Sequence, residues 1–107
     1  VMIARALAQS PAILLLDEPT SNLDLKNQMD VMAMIRSVVA DQGLMAIVAI
    51  HDLNLAVRFA DHFLFIKDHR IHAVATREEL CAEMIEQVYG VAVMIHEVGG
   101  HQVIVPV

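Results

Sequence analysis

Apolar positions in this chain alternate between short uninterrupted runs and stripes at helical spacing. Residues 13–16 form a run without a polar interruption, which is typical of a strand covered on both faces. Apolar residues then recur at helical spacing over residues 25–41, and Gly43 is placed to end that helix. Residues 45–50 predict a second buried strand. Strands that alternate with helices in this way, up to a third strand at residues 63–67, predict parallel β-α units with right-handed crossovers.

The next segment predicts a short helix, a third strand and then a tight turn. Asp52 is placed to cap the helix, and residues 63–67 have the apolar content of a strand. Asp68 and His69 follow as turn residues, so the chain is expected to return antiparallel over residues 70–75.

Helix and strand signals also mark the two ends of the chain. Thr76 and Glu79 have the spacing of a capping box, which predicts that a helix begins there and closes at Gly90. Residues 91–107 predict two strands around a Gly-Gly pair, and residues 2–9 predict a helix. We expect α/β architecture.

Composition and charge restrict the possible functions. Of 107 residues, 57% are hydrophobic, against a usual share of about 45–50%, so we expect surfaces that a larger protein covers. The net charge is -6, and no Lys or Arg cluster is present, which argues against a nucleic-acid surface. Charges interrupt every apolar run before the ~18 residues of a membrane span, and no secretion signal is recognisable. The single cysteine, Cys81, cannot form an internal disulfide and is expected to pack in the core.

Two acids follow the first predicted strand directly. Asp17 and Glu18 would lie at the carboxyl edge of a parallel sheet, where such folds bind ligands. A first carboxylate there can hold Mg²⁺ through its water shell, and a second can deprotonate an attacking water. A strand that ends in two solvated acids explains these residues about equally well.

The continuation of this segment favours the functional interpretation. The string Asp-Glu-Pro-Thr-Ser-Asn-Leu-Asp runs from Asp17 to Asp24, and His51 follows the next predicted strand. Together they resemble the ATP-binding cassette (ABC) ATPases. The resemblance implies that Asp17 and Glu18 belong to the Walker B strand, that Ser21 to Asp24 form the loop that crosses to a partner subunit, and that His51 is the switch histidine.

This resemblance also implies a role for each residue. Glu18 would be the general base, His51 would contact the γ-phosphate, and Asp17 would support Mg²⁺ through water. ATP and Mg²⁺ are the implied cofactors. The residues assigned to binding them are Asp17, Ser21, Asn22, Leu23 and Asp24.

No part of the chain matches Gly-x-x-x-x-Gly-Lys-Ser/Thr, the loop that holds phosphates. Residues 3–8 resemble the helix after the family's signature loop. The resemblance therefore implies the carboxyl-terminal part of an ABC ATPase. It has a partial RecA-like P-loop core with a hairpin, helix and strand extension, divided into residues 1–75 for the core portion and residues 76–107 for the carboxyl-terminal helix and strands. Alone, such a piece is expected to be inactive and to self-associate.

A further pattern runs through residues 51–56, 67–68, 70–71, 88–91 and 103–106. It resembles the importer ATPases for iron-siderophores, haem and vitamin B12. Three positions differ: His69 and Ala75 replace the usual Gly, and Arg77 replaces a frequent Pro. The implied partners are a second ATPase subunit in a homodimer, membrane permease subunits and, indirectly, a substrate-binding protein, at the cytoplasmic face of the membrane. Two alternatives stay open: a soluble ABC ATPase that acts on DNA or ribosomes, and a non-catalytic interaction piece.

Metal binding by histidine is not expected. His69 and His72 fall on either side of the predicted turn, and no Cys or carboxylate set completes a ligand group at plausible spacing.

Overall fold

The computed structural model describes residues 13–107, so the helix predicted over residues 2–9 lies outside the described part. Two compact units are formed: the first ends at His51, and the second comprises Asp52–Val107. The elements of the first are β1 (Ile13–Asp17), α1 (Leu25–Gln42) and β2 (Met45–Ala49). The elements of the second are α2 (Leu53–Phe59), β3 (His62–Lys67), β4 (Arg70–Thr76), α3 (Ala82–Tyr89), β5 (Val93–Val98) and β6 (His101–Pro106). The expected α/β class is confirmed, while the boundary between residues 75 and 76 stays a prediction.

The first unit contains the predicted parallel β-α-β arrangement. β1 and β2 pair in parallel, from Ile13 opposite Met45 to Asp17 opposite Ala49. α1 connects them and ends at Gly43, whose φ of 63° lies in the left-handed region that glycine adopts without steric cost.

Burial of the two strands differs from the prediction. Leu14 and Leu16 are buried, and so are Met32 and Ile35 of α1, which lies against β2. The opposite face of the sheet, which we call the outer face, is exposed. Its side chains and their exposed fractions are Ile13 (50%), Leu15 (71%), Met45 (60%) and Ile47 (50%). Among residues 13–49 the one described helix covers only one face of the sheet, so the expectation of strands covered on both faces was wrong for this part of the chain.

The second unit consists of two antiparallel hairpins and two helices around one core. β3 pairs with β4, and β5 pairs with β6. Parallel pairing among residues 13–107 is seen only between β1 and β2, so the parallel pairing expected of the third strand is not among the described pairings. The buried core residues are Val57, Phe63, Phe65, Leu80, Ile85, Val93 and Ile104. No helix among residues 13–107 is both long and apolar enough to cross a membrane.

Both predicted tight turns are present. Lys67 pairs with Arg70 across Asp68 and His69, whose φ angles are 53° and 62°. Two central residues with positive φ define the type I′ turn, which matches the right-handed twist of a hairpin. His69 therefore adopts the backbone conformation that glycine favours. The Gly-Gly pair between β5 and β6 has the same signs of φ.

The predicted capping box forms, but it does not begin a helix. Thr76 N donates to Glu79 Oε1 (2.9 Å), and Glu79 N donates to Thr76 Oγ1 (3.3 Å). These bonds close one turn, after which Leu80 enters the core and α3 begins at Ala82. Cys81 precedes α3 without a side-chain cap and is exposed, so the expectation that it packs in the core was wrong.

Two polar side chains hold α2 within the second unit. Asn54 Nδ2 donates to the carbonyl oxygen of Ile104 (3.1 Å), and the Ile104 amide donates to Asn54 Oδ1 (2.7 Å). Arg77 Nη2 donates to the carbonyl of Ala60 (2.5 Å), just after the helix ends, while the Arg77 amide donates to the Asp61 carbonyl (3.2 Å). A proline at position 77 could make neither of the Arg77 bonds, because it lacks both groups.

Candidate functional site

The carboxyl ends of β1 and β2 bring the predicted acids and the predicted histidine to one edge of the sheet. Asp17 and Ala49 are the last paired residues, and the Glu18 amide continues the pairing by donating to the Ala49 carbonyl (2.8 Å). His51 follows two residues after Ala49. The sequence prediction that these groups share one edge agrees with this arrangement.

Glu18 and His51 are in direct contact through their side chains. Nε2 of His51 meets Oε1 of Glu18, and the imidazole donates a hydrogen bond to the carboxylate when this nitrogen carries the proton. The His51 side chain is 93% exposed and that of Glu18 is 36% exposed. A group that arrives from solvent can therefore reach both a proton acceptor and a polar ring at one place.

The backbone at Glu18 is strained. Its φ is 47°, a left-handed value that costs a non-glycine residue on the order of 1–3 kcal/mol. The surrounding hydrogen bonds hold it there: the Glu18 amide is bonded to β2, and the Glu18 carbonyl accepts from the Ser21 amide (3.1 Å). Strain of this kind concentrates at functional sites. No residue type in the sequence signalled it.

The loop from Glu18 to α1 turns twice and ends in a helix cap. The Leu23 amide donates to the carbonyl of Thr20, which is buried, and Asn22 is left-handed with φ 64°. Ser21 and Asn22 are exposed, whereas Leu23 is half-buried. Asp24 Oδ1 accepts a hydrogen bond from the Asn27 amide (2.8 Å), a capping role that sequence reasoning missed. The signal was available, since Asp directly precedes the helical stripe.

The donor set fits a magnesium ion held largely by its substrate and by water. Among residues 13–107 no three His, Cys, Asp or Glu side chains lie together as a metal cluster. Mg²⁺ is usually bound through one or two carboxylates together with substrate phosphates and water. The exposed carboxylate of Asp17 at the strand end meets that modest requirement.

A concavity of about 550 Å³ opens at the tip of the β3–β4 hairpin and contains none of the predicted site residues. Its lining consists of Lys67, Asp68, Arg70, Ile71 and His72. Lys67 Nζ donates to the Gln87 carbonyl (2.7 Å), and His72 Nε2 lies 3.0 Å from Gln87 Oε1. These two groups hold α3, and we assign the concavity no chemistry.

Sequence relatives match this chain along its whole length. An uncharacterised ABC transporter ATP-binding protein of Methanocaldococcus jannaschii is 52% identical over 107 residues, which are 100% of this chain and 42% of that protein. The chain's homologues are ABC transporter ATP-binding proteins. The ferric enterobactin transport ATP-binding protein FepC of Escherichia coli is 39% identical over 97% of this chain and 40% of its own length. The hemin import ATP-binding protein HmuV of Pseudomonas entomophila is 40% identical over 98% of this chain and 44% of its own length.

Solved structures of ABC proteins share this fold. A metal-chelate type ABC transporter in an inward-facing conformation matches 99% of this chain and 44% of its own, with a TM-score of 0.79 and 26% identity. A dimeric ATP-binding cassette in a post-hydrolysis state, bound to ADP and Pi, matches 70% of this chain and 32% of its own, with a TM-score of 0.64 and 35% identity. No protein-family model matches the chain. The chain spans about two-fifths of the length of each of the three sequence relatives named above.

Proposed function

We propose that this chain carries the hydrolytic edge of an ATP-hydrolysing subunit of an ABC importer. The observation that carries the proposal is the contact between Glu18 and His51 at the carboxyl edge of a parallel strand pair. The homologues support ATP hydrolysis as the reaction, because they are ATP-binding proteins of transporters. The solute class we propose is iron-siderophore, haem or cobalamin, supported by the names of homologues for ferric enterobactin transport, hemin import and cobalamin import.

Glu18 is the general base in this proposal. Its carboxylate takes a proton from a water molecule as the water oxygen bonds to the γ-phosphorus, and the bond from that phosphorus to the bridging oxygen breaks to leave ADP and phosphate. His51 donates a hydrogen bond to a γ-phosphate oxygen. Asp17 would hold Mg²⁺ through water, and the ion would neutralise charge on the phosphates. Two carboxylates and one imidazole suit phosphoryl transfer, because this reaction depends on positioning and electrostatics more than on covalent chemistry by the protein.

The loop after Glu18 is proposed to face a second ATPase subunit in a homodimer. Ser21 and Asn22 are exposed and Leu23 is half-exposed, as residues that meet another molecule must be. The dimeric ATP-binding cassette among the structural matches supports this assembly. Permease subunits, with a substrate-binding protein acting through them, would complete a transporter at the cytoplasmic face of the membrane, and no nucleic acid takes part.

The test is ATP hydrolysis by a chimera in which this chain replaces the matched part of the Methanocaldococcus homologue. Glu18→Gln should lower turnover by about 10²–10⁴-fold while ATP still binds, because the amide keeps the shape of the side chain and loses the base. His51→Ala should act similarly. Asp30→Asn, an exposed position of α1, is the matched control and should hydrolyse ATP normally. A Glu18→Gln chimera that retains half the parent rate would remove Glu18 from the role of base.

The 107-residue chain alone is proposed to be inactive, because its sequence contains no Gly-x-x-x-x-Gly-Lys-Ser/Thr loop to hold the phosphates. Calorimetric titration with Mg-ATP should detect no binding at micromolar concentrations. Micromolar affinity together with turnover would contradict this part of the proposal.

A further inference from the structure

The carboxylate of Asp24 is used inside its own chain. Oδ1 accepts from the Asn27 amide at 2.8 Å, and the Asp24 carbonyl accepts from the Gln28 amide at 2.9 Å. Its backbone is extended, with φ -71° and ψ 170°, as an N-cap residue requires. Asp24 thus satisfies the first amides of the 18-residue helix α1.

The loop that joins Glu18 to Asp24 is held by hydrogen bonds at both ends and by a further hydrogen bond between them. At one end the Glu18 amide is bonded to the Ala49 carbonyl. In the middle, Thr20 is 5% exposed, and its carbonyl accepts the Leu23 amide at 3.3 Å. At the other end the cap sets where α1 begins. A shift of the cap must therefore be absorbed by the two turns that lead back to Glu18.

We propose that Asp24 is a positioning residue for Glu18, which it holds at the sheet edge by capping α1 and fixing the far end of the loop. It acts through hydrogen-bond geometry and not through its charge. The functional meaning rests on the proposed role of Glu18. An effect of the capping hydrogen bond can be separated from an effect of the charge, because Asn and Ser cap helices about as well as Asp but carry no charge.

The first experiment needs no nucleotide. In the 107-residue chain, Asp24→Ala should accelerate hydrogen exchange of the Asn27 and Gln28 amides by about five- to tenfold. It should also move the NMR resonances of the Glu18 amide and the His51 ring. Asp24→Asn and Asp24→Ser should leave both sets near their parent positions. Resonance changes confined to the first turn of α1 would show a local cap only and would overturn the proposal.

A control on the same helix accounts for the general effect of losing a carboxylate. Asp30 is exposed and forms an ion pair with Lys26 at 2.9 Å. Asp30→Ala removes that pair and should leave the Glu18 and His51 resonances unchanged. Movement of those resonances as large as in Asp24→Ala would mean that they report on the charge of α1, which also overturns the proposal.

The second experiment measures ATP hydrolysis in the chimera. Asp24→Ala should lower kcat by about ten- to hundredfold with KM for ATP within about twofold, because a misplaced base slows the chemical step. Asp24→Asn should lower kcat clearly less than Asp24→Ala does, because the amide side chain still caps α1. A loss in Asp24→Asn equal to that in Asp24→Ala would assign the role to charge and refute positioning by the cap. If the parent chimera has no ATPase activity, the proposed function fails, while the NMR comparison still decides the role of Asp24.

Discussion

The turn between β3 and β4 places a histidine where the backbone favours glycine. His69 has a φ of 62° and is exposed, and the pairing of Lys67 with Arg70 on either side fixes the turn. The turn cannot relax to a negative φ without splaying the two strands, because only the primed turns match their twist. We predict that His69→Gly stabilises the chain.

The expected gain follows from two opposing effects. A left-handed backbone costs a residue with a Cβ atom about 1–2 kcal/mol, which glycine avoids. Glycine also has more conformational freedom in the unfolded chain, which lowers the free energy of unfolding by about 0.4–1 kcal/mol. At the middle of these ranges the net increase in the free energy of unfolding is about 0.8 kcal/mol, and the melting temperature should rise by about 3–6 °C for a unit of this size.

Thermal unfolding followed by circular dichroism tests this prediction, with His69→Ala as the matched control. Alanine removes the imidazole but keeps the Cβ atom, so it should give no comparable rise. In the β5–β6 turn, Gly100→Ala should lower the melting temperature, because φ there is 80°. An equal rise in His69→Gly and His69→Ala would assign the effect to the imidazole and refute the argument from backbone strain.

Three other predictions concern stability and association. Asn54→Ala should lower the free energy of unfolding in urea by about 1–3 kcal/mol, because the amide and carbonyl of Ile104 lose their partner; a loss below about 0.5 kcal/mol would contradict this. Glu79 has its pKa lowered from 4.5 chiefly by the hydrogen bond from the Thr76 amide, so it stabilises the fold above its unfolded pKa, and that contribution is lost as the pH falls through the folded pKa. Glu79→Gln should therefore be less stable than the parent at neutral pH and equal to it in stronger acid, and a difference that persists at about pH 2 would refute the linkage. The chain should self-associate through the outer face of the β1–β2 sheet and its open edges, and light scattering from an 11.8 kDa monomer at every concentration would refute this.

Capping and turn residues predicted the ends of helices and the hairpins well, because the interactions that form caps and turns join residues close together in the chain. Asp52 caps α2 by accepting from the Leu55 amide (3.1 Å), and Gly43 ends α1, as their residue types indicate. Turn residues likewise predicted both hairpins. Each of these features depends on atoms only a few positions apart, which the sequence displays directly.

Burial was predicted less well because it depends on distant elements. An apolar run such as residues 13–16 shows that a strand can be covered, not which of its faces is covered in this chain. Leu15 is 71% exposed although its neighbours Leu14 and Leu16 are buried. The capping box at Thr76 failed as a helix start for a similar reason, since the burial of Leu80 ends the turn before α3 begins.

At the candidate site, strand polarity was enough to predict that Glu18 and His51 share an edge. Their contact and the left-handed backbone of Glu18 were not predictable, because both depend on how the β2 carbonyl and the Ser21 amide hold the loop. All the roles carried over stay predictions, namely those of Asp17, Glu18, Ser21, Asn22, Leu23, Asp24 and His51.

The paired bonds between Asn54 and Ile104 also affect how the β5–β6 hairpin meets other chains. Ile104 lies opposite Ile95, yet both its amide and its carbonyl are turned away from β5 and bonded to the Asn54 amide group. One side chain thus stands in for a neighbouring strand at the middle of the free edge of β6. A foreign strand that sought to add there would have to displace Asn54 first, so this edge is protected against the sheet extension that leads to aggregation.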